Sequence, residues 1–110
     1  MKFDFSNKTA LITGATRGIG KAIADCMYIA GANLILTGTN QNEIYQFNKL
    51  NQEKGINNIQ FIQVDFSKAD STKLFLERIE EFPKIDICIN NAGVNKVNNF
   101  VETSYVDLKW

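Results

Sequence analysis

Short apolar runs, each bounded by polar residues, recur along the chain and are the clearest feature of its hydrophobic pattern. Each run is too short for a helix and rich in β-branched or aromatic side chains, which is typical of strands buried on both faces. The pattern therefore predicts four strands, at Thr9–Thr13, Asn33–Thr37, Ile59–Val64 and Ile85–Ile89.

Between these runs the apolar positions follow the spacing of a helix face. The first helix is predicted over Gly18–Ala30 and ends at Gly31, a residue suited to a helix C-terminus. Its apolar face is predicted to consist of Ile19, Ile23, Cys26, Met27 and Ala30. A second helix is capped by Asn40, carries Glu43 in its first turn and extends to about Lys54.

A third helix is predicted to begin near Ser67 and Asp70 and to stop before Pro83, which cannot continue it. Its apolar face consists of Phe75, Ile79 and Phe82. After the fourth strand we expect a loop over Asn90–Asn99 and then the start of a further helix. Strands and helices that alternate at this spacing indicate βαβ units and a parallel α/β sheet.

Composition supports a globular protein and excludes some functions. The chain has 110 residues, 45% of them hydrophobic and 22% charged, which is typical of one domain. Lys plus Arg and Asp plus Glu number 12 each, and this neutrality argues against nucleic-acid binding. The absence of histidine excludes a Ser-His-Asp or Cys-His nucleophile system and any histidine-ligated metal on this chain.

The two cysteines, Cys26 and Cys88, have apolar neighbours and no CxxC spacing, so we expect buried free thiols and no metal site. The N-terminus lacks the apolar stretch of a signal peptide. No run approaches the roughly 18 apolar residues that a membrane span needs. These features predict a cytoplasmic protein without membrane contact.

A glycine-rich turn joins the first strand to the first helix, within Thr13–Gly20. Glycines there leave room for a pyrophosphate to approach the backbone, and the helix N-terminus presents unpaired N–H groups to it. The spacing is GxxxGxG. A glycine triplet is also compatible with a tight turn and close helix packing, but its position between strand and helix favours nucleotide binding.

Three motifs resemble the short-chain dehydrogenase/reductase family. The TGxxxGxG turn is the first, Asn90-Asn91-Ala92-Gly93 after the fourth strand matches the family's NNAG, and Asp65 follows the third strand where the family has an adenine-contacting aspartate. The turn looks most similar to that of bacterial 3-oxoacyl-[acyl-carrier-protein] reductases. The resemblance implies a doubly wound Rossmann-type sheet, with four strands present here. It also implies cofactor contacts from Gly14, Ala15, Thr16, Arg17, Gly18, Ile19, Gly20, Thr39, Asp65, Phe66, Asn90, Ala92 and Gly93.

The residues around the second strand favour NADP over NAD. An acidic residue at that strand's end would bind the adenosine ribose and repel a 2′-phosphate, but the first acid after this strand is Glu43. Arg17 can reach a 2′-phosphate with its planar guanidinium, and Thr39 can add a hydroxyl contact. The alternative is that Arg17 is only a solvated surface charge.

Catalytic residues are not predicted on this chain. The resemblance implies a tyrosine and a lysine in YxxxK, together with a serine, beyond NNAG and after a fifth strand. The chain has YxxxK twice, at Tyr45–Lys49 and Tyr105–Lys109, but neither follows such a strand. Ala32 and Ala92 occupy the positions expected for the serine.

Three functions are compatible with these observations. Residues 1–110 can be the adenosine- and pyrophosphate-binding N-terminal portion of an NADP-dependent reductase that acts on a ketone such as a 3-oxoacyl thioester, as in fatty acid biosynthesis. They can instead be a stand-alone nucleotide-binding module. Alternatively, the open sheet edge pairs with another polypeptide, either a second copy or a missing C-terminal half.

Overall fold

The computed structural model describes residues 3–92, in which four strands alternate with three helices. The strands are β1 (Thr9–Ile12), β2 (Asn33–Gly38), β3 (Ile59–Gln63) and β4 (Ile87–Ile89). The helices are α1 (Gly18–Ile29), α2 (Gln41–Glu53) and α3 (Ala69–Ile79). The predicted order of elements is confirmed up to this point, and the loop and helix predicted after β4 lie almost wholly outside the described residues.

The strands form one parallel sheet in the order β3-β2-β1-β4. Ile12 is in register with Leu36 of β2 and with Ile89 of β4, so these three strands end at the same edge. The predicted Rossmann-type α/β fold is confirmed. In such a sheet, ligands bind beyond the carboxyl ends of the strands.

Helices cover both faces of this sheet because alternate strand residues point to opposite sides. One face packs against α1 in a cluster that consists of Ala10, Ile12, Ala15, Ala24, Met27, Ala32, Leu34 and Leu36. On the same side, Phe47 of α2 contacts the ring of Phe61 at 5.0 Å. The other face packs against Phe75 of α3 in a cluster that also contains Leu11, Ile35, Ile62 and Val64. The sheet is therefore doubly wound.

Glycine ends α1 as the sequence predicted. Gly31 has φ 96°, a left-handed conformation that glycine adopts without a Cβ clash. Its N–H donates to the carbonyl of Tyr28, and the N–H of Ala32 donates to the carbonyl of Met27. This pair of bonds is a Schellman motif, which satisfies carbonyl groups of the last turn and directs the chain into β2.

The outer edge of the sheet at β3 is protected by a side chain of α2. Asn48 Nδ2 donates to the carbonyl of Phe61, and the N–H of Phe61 donates to Asn48 Oδ1, both at 2.9 Å. Alternate residues of β3 point their backbone groups toward β2, so those of Phe61 face outward. The Asn48 amide thus takes the place of a neighbouring strand at an edge that could otherwise pair with another chain.

Two expectations about burial are wrong. Cys26 and Cys88 are both exposed, because the buried stripe of α1 passes through Gly20, Ala24 and Met27 and leaves Cys26 beside it. Cys88 lies on a three-residue strand with β1 as its neighbour among the described residues. Ile19, also predicted on the apolar face of α1, is 72% exposed. Apolar neighbours in sequence did not identify the buried face.

The third helix, α3, begins at Ala69, between the two residues at which its start was predicted. Its N-cap is Lys68, while Ser67 lies before the helix and Asp70 lies in its first turn. Within the described part of the chain, no helix is long and apolar enough to cross a membrane.

Candidate cofactor-binding site

The turn from β1 into α1 depends on two glycines in the left-handed region. Gly14 has φ 63° and Gly18 has φ 62°, a conformation that costs other residues roughly 1 kcal/mol or more. A Cβ added to Gly14 would lie 3.1 Å from Cα of Ala92, so the turn also packs closely on the segment after β4. A Cβ at Gly18 would meet no described atom within 4 Å. The turn is therefore held tightly at its start and is open where the helix begins.

Gly20 has a different role, which is close packing. It is buried in the first turn of α1, and a Cβ there would overlap the carbonyl oxygen of Gly14 and lie 2.6 Å from Nδ2 of Asn91. That Nδ2 donates to the same carbonyl at 3.0 Å. The third glycine of the motif therefore allows α1 to approach the turn that Asn91 holds.

Thr13 joins the end of β1 to the segment that follows β4. Its hydroxyl is fully buried and accepts the N–H groups of Asn91 and Ala92, each at 3.0 Å. The same hydroxyl donates to Oδ1 of Asn90 at 3.1 Å. One side chain thus makes three hydrogen bonds across 77 to 79 positions of sequence.

Thr37 joins the same turn to the end of β2. Its hydroxyl accepts the N–H of Gly14 at 3.1 Å, and its carbonyl accepts the N–H of Ala15 at 2.9 Å. Thr37 is 1% exposed, so both bonds are shielded from water. Together, Thr13 and Thr37 bring the carboxyl ends of β4, β1 and β2 into one rigid arrangement around the glycine turn.

The N-terminus of α1 fits a phosphate group. The first N–H groups of a helix have no intrahelical partner, and its dipole favours an anion there. The first turn of α1 has no acidic residue. Since no atom of residues 3–92 lies within 4 Å of a Cβ placed on Gly18, these residues leave room for an incoming group to approach the backbone at this point. Ile19 is largely exposed in the same turn. These features fit the pyrophosphate of a dinucleotide.

Arg17, the N-cap residue of α1, is not an isolated surface charge. Its Nη2 lies 3.4 Å from both carboxylate oxygens of Glu43, in the first turn of α2. Thr39 is exposed between these elements, and its carbonyl accepts Nε2 of Gln63 at 3.0 Å. Thr16 lies beside the end of β2, where a Cβ on Gly38 would be 2.5 Å from its Cγ2.

Asp65 lies just after β3 in a turn of its own. Its Oδ1 accepts the hydroxyl of Ser67 at 2.5 Å and the N–H of Ser67 at 3.0 Å. These bonds lower the pKa of the Asp65 carboxyl below its ordinary value of 3.8, the hydroxyl having the largest effect. Phe66 points the other way and packs edge-on against Phe75 at 5.4 Å. In this structure its ring is part of the α3 cluster.

The described part of the chain includes only some of the site residues predicted after β4. Asn90 and Ala92 contact Thr13 as described above, while Gly93 lies outside the described residues. The structure thus brings Gly14–Gly20 together with Asn90 and Ala92 around the ends of β1 and β4. Asp65 and Thr39 follow β3 and β2 at the same edge of the sheet.

The sequence family agrees with this geometry. The model of the family described as "short chain dehydrogenase" matches residues 8–109. The chain belongs to this family. Its members are oxidoreductases that use a nicotinamide cofactor, so the predicted family is confirmed.

Individual relatives in the family differ in the substrates they are named for. The chain is 33% identical to the uncharacterized oxidoreductase YvrD of Bacillus subtilis, over all of this chain and 40% of the relative. It is 36% identical to the 3-oxoacyl-[acyl-carrier-protein] reductase FabG of Escherichia coli, over 86% of this chain and 38% of that protein. Other matches are named as diacetyl reductases and 2-dehydro-3-deoxy-D-gluconate 5-dehydrogenases. The chain spans about two fifths of the length of the curated relatives it matches.

Solved structures of short-chain dehydrogenases have the same fold. The L-sorbose reductase of Gluconobacter frateurii, solved in complex with NADPH and L-sorbose, superposes with a TM-score of 0.71 at 28% identity. That match covers all of this chain and 41% of the reductase.

Several residues that shape the site were not among the predicted ones. They are Thr13, Thr37, Gly38, Glu43 and Asn91. Thr13 belongs to the TGxxxGxG motif and Asn91 to the NNAG motif, so both could have been predicted as site residues from the motifs. Thr37 and Gly38 end a predicted strand at the ligand-binding edge, but neither residue type indicates by itself what it contacts. The sequence identifies Glu43 as a first-turn residue of the second helix and as the first acid after the second strand, but it does not indicate the contact with Arg17.

The first YxxxK copy stands on a helix surface in the described part of the chain. Tyr45 and Lys49 lie on α2, where both side chains are exposed, and the second YxxxK lies outside the described residues. Within residues 3–92, no group of three or more metal-ligating side chains is found.

Proposed function

We propose that the chain forms the adenosine- and pyrophosphate-binding portion of an NADP-dependent short-chain reductase. The observation that carries this proposal is the glycine turn at the open N-terminus of α1, fixed by buried threonines to the ends of three strands. The pyrophosphate binds the free N–H groups at Gly18–Gly20. The cofactor, when bound, supplies the hydride that reduces a carbonyl group.

Arg17 supports a preference for the phosphorylated cofactor. Its guanidinium stands at the N-cap of α1, next to the end of β2, where the adenosine ribose binds in dinucleotide folds. A permanently charged planar group suits the 2′-phosphate of NADPH. Thr39 contributes a hydroxyl beside it. Asp65 and the backbone of Phe66 border the adenine side, while the Phe66 ring packs against Phe75.

The substrate is proposed to be a ketone such as a 3-oxoacyl thioester. The likeness of the glycine turn to that of 3-oxoacyl-[acyl-carrier-protein] reductases supports this choice, as does the relative FabG. A cytoplasmic location and any partner chain stay predictions.

Titration of the chain with NADPH and NADH tests cofactor binding directly. We expect nucleotide fluorescence to show binding of both, with NADPH the tighter. Arg17→Ala should weaken NADPH by about tenfold, because one charge-assisted contact is lost at an exposed position, and should leave NADH within twofold. Failure of the wild-type chain to bind either dinucleotide at millimolar concentration would refute the proposal.

If the chain is instead a stand-alone nucleotide-binding module, the titration gives the same result, but no substrate is reduced. Reduction of a 3-oxoacyl thioester by a longer chain that contains these residues, followed by the loss of NADPH absorbance, would support the reductase over the module.

A further inference from the structure

Glu43 lies against the guanidinium that we assign to the 2′-phosphate. Both of its carboxylate oxygens are 3.4 Å from Nη2 of Arg17. We propose that Glu43 is a specificity-determining residue, which competes with the 2′-phosphate for Arg17 and thereby limits the preference for NADPH over NADH. This inference rests on the proposed function.

Packing fixes the position of the Glu43 backbone. Oδ1 of Asn40 accepts the N–H of Glu43 at 2.9 Å and so caps α2 at this residue. The next residue, Ile44, is buried against the end of β2, where its Cδ1 would be 3.2 Å from a Cβ on Gly38. The first turn of α2 therefore cannot move away when a ligand reaches Arg17.

The two partners differ in how far they are exposed to solvent. The side chain of Arg17 is 76% exposed, whereas that of Glu43 is 31% exposed. Arg17 can therefore turn toward a ligand, while the carboxylate stays where the α2 backbone places it. A bound 2′-phosphate must then share one guanidinium with a fixed anion.

Charge makes this effect selective. A phosphate monoester carries close to two negative charges at neutral pH, so its repulsion by Glu43 acts on NADPH. NADH has a neutral hydroxyl at the same ribose position and is almost unaffected. Removing the charge of Glu43 should accordingly tighten NADPH by about threefold to tenfold at low salt, as expected for exposed charges several ångströms apart.

The experiment compares NADPH and NADH dissociation constants for the wild-type chain and for Glu43→Gln, by fluorescence titration in 20 mM and in 500 mM KCl. We expect Glu43→Gln to lower the NADPH dissociation constant severalfold in low salt and to leave that of NADH within twofold of the wild-type value. In high salt, the difference in NADPH affinity between the variant and the wild type should largely disappear. Glu53→Gln is the matched control, since it removes the same charge from the other end of α2 and should change neither constant.

A second pair of variants separates competition from a structural role. In an Arg17→Ala background, the effect of Glu43→Gln on NADPH should shrink, because the shared guanidinium is gone. Glu43→Asp shortens the side chain by one methylene and should give a smaller gain than Glu43→Gln. Thermal melts followed by circular dichroism check that each variant is folded.

Two outcomes overturn the inference while leaving the proposed function intact. One is an unchanged ratio of NADPH to NADH affinity in Glu43→Gln. The other is weaker NADPH binding in that variant, which would mean that Glu43 holds Arg17 in place for the phosphate. If the wild-type chain binds neither dinucleotide, the proposed function fails and this inference fails with it.

Discussion

The buried hydroxyl of Thr13 gives the sharpest test of how the glycine turn is held. Thr13→Val replaces the hydroxyl with a methyl of similar size, so the shape of the side chain is kept. The three hydrogen bonds to Asn90, Asn91 and Ala92 are all lost. Any loss of stability therefore reports those bonds, since no large cavity is created.

The expected loss follows from the number of bonds. A typical intramolecular hydrogen bond contributes about 1 kcal/mol net, and partners left without one cost more. Three bonds at 0% exposure give about 3 kcal/mol for Thr13→Val. Thr37→Val removes one hydroxyl bond, to the N–H of Gly14, and should cost about 1 kcal/mol.

Urea unfolding followed by far-ultraviolet circular dichroism measures both losses. With a slope of about 1.5 kcal/mol per molar, Thr13→Val should lower the midpoint by about 2 M and Thr37→Val by less than 1 M. Thr13→Ser is the control, because it keeps the hydroxyl and loses only one methyl, at about 1 kcal/mol. If Thr13→Val cost no more than Thr13→Ser, the three bonds would not stabilise the turn and the reasoning would be refuted.

Three further predictions concern the glycine turn, the acidic turn after β3 and the outer edge. Gly20→Ala should cost about 2 kcal/mol or more and abolish NADPH binding, because its Cβ overlaps a carbonyl oxygen. The Cβ of Gly18→Ala meets no described atom, so this variant should cost only about 1 kcal/mol of backbone strain. Urea unfolding measures both losses of stability. Ser67→Ala should raise the lowered pKa of Asp65 toward 3.8, as measured by carboxyl ¹³C NMR titration. Asn48→Ala should cost about 2 kcal/mol and speed amide exchange in β3, because two edge bonds are lost.

Asp65 should make the folded chain less stable in acid. Its pKa is lower in the folded chain than in the unfolded one, so its contribution to the free energy of unfolding is present above the unfolded pKa. That contribution is lost as the pH falls through the folded pKa, in the acid range below about 4. Ser67→Ala should therefore reduce the loss of stability between pH 5 and pH 2. An unchanged pKa in that variant would show that the hydroxyl bond is not made in solution.

Equal costs for Gly20→Ala and Gly18→Ala would contradict the distinction between close packing at Gly20 and backbone strain at Gly18.

For the outer edge at β3, Asn48→Asp is the informative control. It keeps the acceptor for the N–H of β3 and loses the donor to the carbonyl, so its effect should fall between wild type and Asn48→Ala. No difference between the two variants would mean that the hydrogen bond from the N–H of Phe61 to this side chain adds no measurable stability.

The local sequence determined the order of elements, the glycine turn, the Asn40 cap of α2 and the glycine that ends α1. These features depend on periodicities of a few residues and on backbone preferences of single residues, such as the positive φ of Gly14, Gly18 and Gly31. They indicated the edge of the sheet at which a ligand binds, since every parallel strand of such a fold ends there. The short-chain dehydrogenase family followed from the same motifs.

Only the tertiary structure decided which side chains meet at that edge. Thr13 contacts residues 77 to 79 positions away, and Arg17 meets an acid 26 positions away on another helix. The exposure of Cys26 and Cys88 likewise depends on which face of a helix or strand the rest of the chain covers. Contacts and burial of this kind arise when the strands pair and the helices pack, so no local pattern specifies them, and they determine what the arginine in the glycine turn can bind.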